Sequence, residues 1–72
     1  SFRYMVNGAA YHNGQKVAEL TDVGFNNVDD VIARLVTMLP KDIPNRSMVM
    51  FKIVNLDKNQ TVVYQRQKGK GF

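Results

Sequence analysis

The sequence predicts an α+β fold: a two-layer ββαββ domain with one helix packed on one face of a four-stranded antiparallel sheet. Three observations lead to this expectation. Two segments near the N-terminus have strand periodicity around an Asn-Gly turn, the middle of the chain has helical periodicity, and two more strand-like segments follow it. A chain of 72 residues has room for one domain.

The first two strands are predicted as a hairpin. Residues 2–10 alternate with period two, and Asn13-Gly14 supplies the two positions of positive φ that a type I′ turn requires. The returning strand is expected from Gln15 to about Thr21. With the turn centred on Asn13 and Gly14, the expected cross-strand pairs are Tyr11 with Lys16, Ala10 with Val17, Ala9 with Ala18, Gly8 with Glu19, Asn7 with Leu20 and Val6 with Thr21.

A helix is predicted over about residues 27–39. Apolar residues recur at spacings of three and four and form one stripe: Val28, Val31, Ile32, Leu35, Val36 and Leu39. Asn26 or Asn27 is expected to cap the start of the helix. Pro40 cannot continue the hydrogen-bond ladder, so the helix is expected to end near Leu39 and to be followed by a loop over residues 40–46.

The last two strands are predicted over Ser47–Leu56 and Thr61–Gln67, joined by a turn centred on Lys58 and Asn59. This turn would pair Ile53 with Tyr64 and Val54 with Val63. Strands two and three run in the same direction, so an antiparallel sheet must separate them, and the orders 2-1-3-4 and 1-2-4-3 both do so. We expect a single domain over residues 1–67 and a flexible basic C-terminal tail over residues 68–72.

One helix can cover only one face of the sheet. The helix side is assigned to the larger apolar set: Phe2, Tyr4, Val6, Val17, Val49, Phe51, Ile53, Val62 and Tyr64. The opposite face, named the outer face here, is expected to carry Arg3, Met5, Asn7, Ala9, Tyr11, Lys16, Ala18, Leu20, Met48, Met50, Lys52, Val54, Val63 and Gln65. Such a mixture is too apolar for an ordinary solvated surface, which indicates a partner.

The outer face is therefore the predicted interface, first with a second copy of the chain in a homodimer and then with another protein. The expected interface residues are Met5, Ala9, Ala18, Leu20, Met48, Met50, Val54 and Val63. Flexible thioethers suit an adaptable protein surface. The alternative for Met48 and Met50 is that they fill the core.

Nucleic-acid binding is the alternative function, because the formal net charge is +4 and three of the basic residues lie near the C-terminus. The expected contacts are Arg3, Tyr11, Lys16, Lys52, Arg66, Lys68 and Lys70. A solubilising terminus explains the same tail residues. The chain also lacks the aromatic signature of an RNA-binding sheet and an evident recognition helix.

Enzymatic chemistry is not expected. His12 is the only histidine and is expected at the surface beside the turn, while Asp29 and Asp30 suit the positive end of the helix dipole. Ser47 has no base near it in the sequence, and there is no cysteine for a disulfide or a thiolate metal site. We therefore expect no catalytic residue, no cofactor, no metal and no membrane segment, and a cytoplasmic location. The sequence predicts a small binding or regulatory protein.

Overall fold

The computed structural model describes residues 1–39 and 46–68. The elements are β1 (Tyr4–His12), β2 (Gln15–Phe25), α1 (Val28–Met38), β3 (Ser47–Asn55) and β4 (Gln60–Lys68). Four antiparallel strands in the order β2-β1-β3-β4 and one helix form an α+β fold, which confirms the predicted fold class and the first of the two predicted orders. Strand β4 continues through Lys68. Pro40, most of the predicted loop and residues 69–72 of the predicted tail lie outside the described residues.

The Asn-Gly turn forms as predicted. Asn13 and Gly14 have φ values of 52° and 77°, as a type I′ turn requires, and Tyr11 pairs with Lys16 beside it. The backbone N–H of Asn13 donates to the carbonyl oxygen of Arg46 over 2.9 Å. The turn of the first hairpin is therefore tied to the residue that leads into β3.

Strand β2 is longer and less regular than predicted. Tyr11 pairs with Lys16 but Ala10 pairs with Ala18, so Val17 is left as a β-bulge. A second shift follows between Val6 and Gly8 on β1, which brings the rest of β2 back into the original alternation. The predicted end of the strand near Thr21 is wrong, since the strand continues to Phe25.

The first bulge moves the side chains in the middle of β2 to the opposite face of the sheet from the one predicted. Leu20 pairs with Gly8 on the helix side and is only 7% exposed, and Ala18 also packs against the core. The prediction that Ala18 and Leu20 lie on the outer face is therefore wrong. Val17, which was assigned to the helix side, is the unpaired bulge residue and is 66% exposed. A shift of one residue moves every following side chain to the other face.

The second shift is held by a side chain of β1. The backbone N–H of Asp22 donates to Oδ1 of Asn7 over 2.7 Å, and Asp22 has a φ of 50°. Asp is one of the residues that visits this left-handed conformation most readily. Beyond this irregularity strand β2 continues to Phe25, which lies in the core.

The β3–β4 register differs from the prediction by two residues. Ile53 pairs with Val62 and Val54 with Thr61, because a four-residue loop over 56–59 replaces the predicted two-residue turn centre. Oδ1 of Asn55 accepts hydrogen bonds from the N–H groups of Asp57 and Lys58, at 3.1 and 3.2 Å. A shift of two residues preserves the alternation, so the predicted faces of β3 and β4 are retained.

The core lies between α1 and the middle of the sheet. Its buried hydrophobic residues are Val6, Ala10, Leu20, Phe25, Val31, Val49 and Phe51. Gly8 pairs with Phe51, and a Cβ built on Gly8 would overlap the Met50 carbonyl oxygen and lie 2.6 Å from Cδ1 of the Phe51 ring. The ring of Phe51 therefore takes the space beside Gly8 that a side chain would need.

Helix α1 covers only part of the sheet. Oδ1 of Asn27 accepts from the N–H of Asp30 over 2.9 Å, which confirms Asn27 as the N-cap, and the N–H of Leu39 donates to the Leu35 carbonyl over 3.0 Å at the other end. The helix lies closest to β2. Val31 is buried, whereas Val36 on the flank of the predicted stripe is 69% exposed.

Across the described ranges, no helix is long and apolar enough to cross a bilayer.

We predict that, because of the bulge, a substitution at Leu20 lowers the stability of the protein more than a substitution at Val17. Leu20→Ala should lower the free energy of unfolding by about 2–4 kcal/mol, because it removes buried volume. Val17→Ala should change it by less than about 0.5 kcal/mol, because the side chain is largely in solvent. Urea denaturation of the two variants measures both effects. The predicted regular hairpin requires the opposite ranking, so a larger loss for Val17→Ala would contradict the bulged register.

Candidate binding surfaces

Most of the predicted interface residues share the outer face. Met5 pairs with Val54 and Ala9 with Met50 across β1 and β3, and Met48 and Val63 point to the same side. Met50 and Val63 are exposed, and the other members are half-buried. The patch formed by these six residues is interrupted, because Asn7 and Lys52 lie between the pair Met5–Val54 and the pair Ala9–Met50. Core-filling by Met48 and Met50 does not describe their positions. Ala18 and Leu20 are not part of the patch, because the bulge turns them to the helix side.

A second apolar surface lies on the helix side and was missed by the sequence reasoning. We name it the α1–β4 groove. It is a concave space of about 510 Å³ between α1 and the strands β3 and β4. Its lining residues are Val28, Val31, Ile32, Leu35, Val36, Leu39, Ile53, Val62, Val63, Tyr64 and Arg66. A volume of this size falls within the ordinary range of ligand and peptide sites, about 300–1,000 Å³.

The groove exists because α1 sits toward β2. Val28, Ile32 and Val36 lie one turn apart on the flank of α1 that faces away from β2, and each is exposed by about half or more. Val62 stands across from them on β4 and is 62% exposed. No signal in the sequence indicated this surface, because six apolar positions over residues 28–39 are the ordinary stripe of an amphipathic helix.

The basic residues do not form one surface. Lys52 pairs with Asn7 and Val63 and therefore lies on the outer face. Arg66 pairs with Val49 and lines the α1–β4 groove on the other side of the sheet. Lys68 belongs to β4, and Lys70 lies outside the described residues. The described part of the predicted nucleic-acid surface is thus divided between two faces.

Two of the predicted nucleic-acid contacts are already paired with acids. Arg3 Nε lies 3.5 Å from a carboxylate oxygen of Asp57, and Lys16 Nζ lies 2.9 Å from Oε2 of Glu19. The hydrogen bond to Glu19, followed by its charge, raises the pKa of Lys16. Exposed pairs of this kind are weak and screened by salt, but each offsets a positive charge locally.

His12 contacts a residue that lies far from it in the sequence. Its Nδ1 lies 2.9 Å from Oγ of Ser47, because β1 and β3 pair these two residues, and its Nε2 lies 3.3 Å from Nδ2 of Asn13. His12 lies beside the turn, as expected, and is half-buried. Ser47 is 3% exposed, which withholds its hydroxyl from a substrate. This arrangement links two strands and does not present a nucleophile.

Metal coordination has no candidate site in the part of the chain that the structure describes. There, no three side chains of the types His, Cys, Asp or Glu are grouped so as to hold a metal ion. Asp29 and Asp30 lie in the first turn of α1, and the backbone N–H of Asp30 is taken up by the Asn27 cap. These acids stabilise the helix start through its dipole.

We expect the His12–Ser47 hydrogen bond to be measurable as a coupling free energy in a double-mutant cycle. Ser47→Ala and His12→Ala should each lower the free energy of unfolding by about 1–2 kcal/mol, since each strands a partly buried polar group. The double variant should lose less than the sum of the two single losses, because both remove the same bond. Urea denaturation of the four proteins gives the coupling energy. Strictly additive losses would show that the two side chains do not interact in solution.

Comparison with known proteins identified no relative of this chain. No family model, curated protein or solved structure matches the chain. Its function is therefore inferred from its own two exposed apolar surfaces, the outer face and the α1–β4 groove.

Proposed function

We propose that this chain is a small non-enzymatic binding protein that acts on another protein, and that the α1–β4 groove receives an apolar segment of that partner. The observation that carries the proposal is the row formed by Val28, Ile32 and Val36 on successive turns of α1, exposed opposite Val62. A contiguous apolar surface of this kind on a small domain marks an interaction site.

The shape of the groove favours it over the outer face as the docking surface. Most apolar side chains of the outer face are already half-buried by their neighbours on the sheet. The groove is concave, and its walls come from two different elements, a helix and a sheet edge. A partner segment seated there would remove apolar area from water on both of its sides, at about 25 cal/mol for each Å².

An amphipathic helix fits the dimensions of the groove. The wall supplied by α1 is 11 residues long, which corresponds to about 16 Å, or three turns of a partner helix. Helices that dock in such grooves present apolar residues at spacings of three, four and seven. Among the described residues that line the space Arg66 alone is charged, so a carboxylate on the partner would complement it.

Nucleic acid has less support as the partner. Phosphate binding depends on a continuous positive surface. Arg3 and Lys16 are paired with acids, and Lys52 and Arg66 lie on opposite faces of the sheet.

The absence of cysteine supports the proposal of a cytoplasmic protein, since nothing in the chain draws on an oxidising compartment.

A synthetic peptide tests the groove directly. The probe is a three-turn amphipathic helix with leucines on one stripe and glutamates elsewhere, and the control peptide has the same composition without the stripe. In methyl NMR spectra we expect the stripe peptide to shift the signals of Ile32, Val36 and Val62. Val36→Asp should weaken binding by about tenfold or more, because it places a carboxylate against the apolar face and the acidic rim of the probe.

Val17→Asp is the matched control, since it makes the same substitution at a valine of similar exposure on β2. It should leave peptide affinity unchanged. Equal binding of the two peptides, or shifts at the Met48 and Met50 methyls in place of the groove, would reject the groove as the site. Salt-sensitive binding of a random duplex that Arg66→Ala abolishes would instead favour the nucleic-acid alternative.

A further inference from the structure

Strand β4 lies at the edge of the sheet and carries an exposed apolar residue on each of its two faces. Val62 points to the helix side and is 62% exposed, and its neighbour Val63 points to the outer face and is 55% exposed. A strand added at this edge would place cross-strand neighbours beside both valines. Pairing of the β4 edge would therefore remove apolar area of both side chains from water.

The two edges of the sheet are protected very differently. Strand β2 carries two register shifts and the charges of Lys16, Glu19 and Asp22, which are devices that discourage pairing with another chain. Strand β4 pairs with β3 without a register shift over its nine residues. It also has no charged residue from Gln60 to Gln65. The regular pairing and the uncharged stretch from Gln60 to Gln65 make this edge a template for strand addition.

We propose that the free edge of β4 pairs antiparallel with β4 of a second copy of this chain, so that two four-stranded sheets become one sheet of eight strands. This inference is independent of the proposed protein partner in the groove. The twofold axis of an antiparallel edge pair is perpendicular to the sheet, so both helices lie on the same side. The two α1–β4 grooves then meet across the axis and form one trough.

The β4 sequence is self-complementary in this arrangement. A register centred on Val63 places Val62 opposite Tyr64 of the second copy, and a β-branched residue opposite an aromatic one is a favourable cross-strand pair. Arg66 faces the uncharged Gln60 of the second copy. The two Arg66 residues stand six positions apart, about 20 Å along the strands, so within residues 60–66 self-pairing brings no like charges together.

The size of the contact predicts a weak dimer. A standard interface removes about 800 Å² from each partner. That is roughly a sixth of the chain's total surface of 5097 Å², and one sheet edge supplies less. We therefore expect a dimer that forms in the micromolar range and dissociates on dilution. Apart from Val63, the apolar residues of the outer face, which the sequence first suggested as the dimer interface, then remain free.

Sedimentation of the full chain over a range of concentrations tests the proposal. We expect a monomer–dimer equilibrium, and we expect Val63→Lys and Val63→Glu each to raise the dimer Kd by about tenfold or more, because each sets like charges opposite one another. An equal mixture of the two variants should recover association as a heterodimer. Circular dichroism and the melting temperature of each variant show that the monomer is still folded.

Two matched substitutions identify the surface. Val17→Lys makes the same change at the β2 edge, and Met50→Lys makes it on the outer face, so both should leave the dimer Kd unchanged. Single cysteines placed in turn from 61 to 65 should cross-link under oxidation with a maximum at one position, the residue on the twofold axis. A monomer at every concentration would overturn the proposal. Loss of the dimer in Val17→Lys or Met50→Lys would do the same, as would a Val63→Lys/Val63→Glu mixture that stays monomeric.

Discussion

The width of a single helix governs the surface chemistry of this molecule. A helix with its side chains is about 10–12 Å across, whereas four strands spaced about 4.8 Å apart span nearly twice that distance with their side chains. Helix α1 lies toward β2, and on the helix side of β4 Val62 is left 62% exposed. The groove, the exposed row of Val28, Ile32 and Val36, and the exposure of Val62 all follow from that mismatch.

Local signals in the sequence predicted the elements and their order well. Asn13-Gly14 fixed the first hairpin turn, Asn27 capped α1, and the chain directions reduced the strand orders to two, one of which is observed. These features depend on a few neighbouring residues. The faces of β1, β3 and β4 were also predictable, because their alternation is unbroken or shifted by an even number of residues.

The failures came from interactions between residues distant in the chain. Val17 continues the alternation of β2, so nothing in the local pattern shows that it bulges and sends Ala18 and Leu20 to the helix side. Val62 and Val63 show in the sequence only as two successive apolar residues, and the exposure of Val62 depends on where α1 lies. The contact of His12 with Ser47 likewise depends on the β1–β3 register, which the sequence does not specify.

The close approach of Gly8 to Phe51 has a consequence for how this protein can change. At that point the two middle strands fill the interior with a backbone and one aromatic ring, and there is no volume for even a methyl group. Divergent relatives should therefore retain glycine at position 8 whatever residue stands at position 51, because the Met50 carbonyl oxygen and the Phe51 Cα belong to the backbone and remain when the ring is replaced. An alignment of such relatives would show an unchanged glycine at the centre of the sheet.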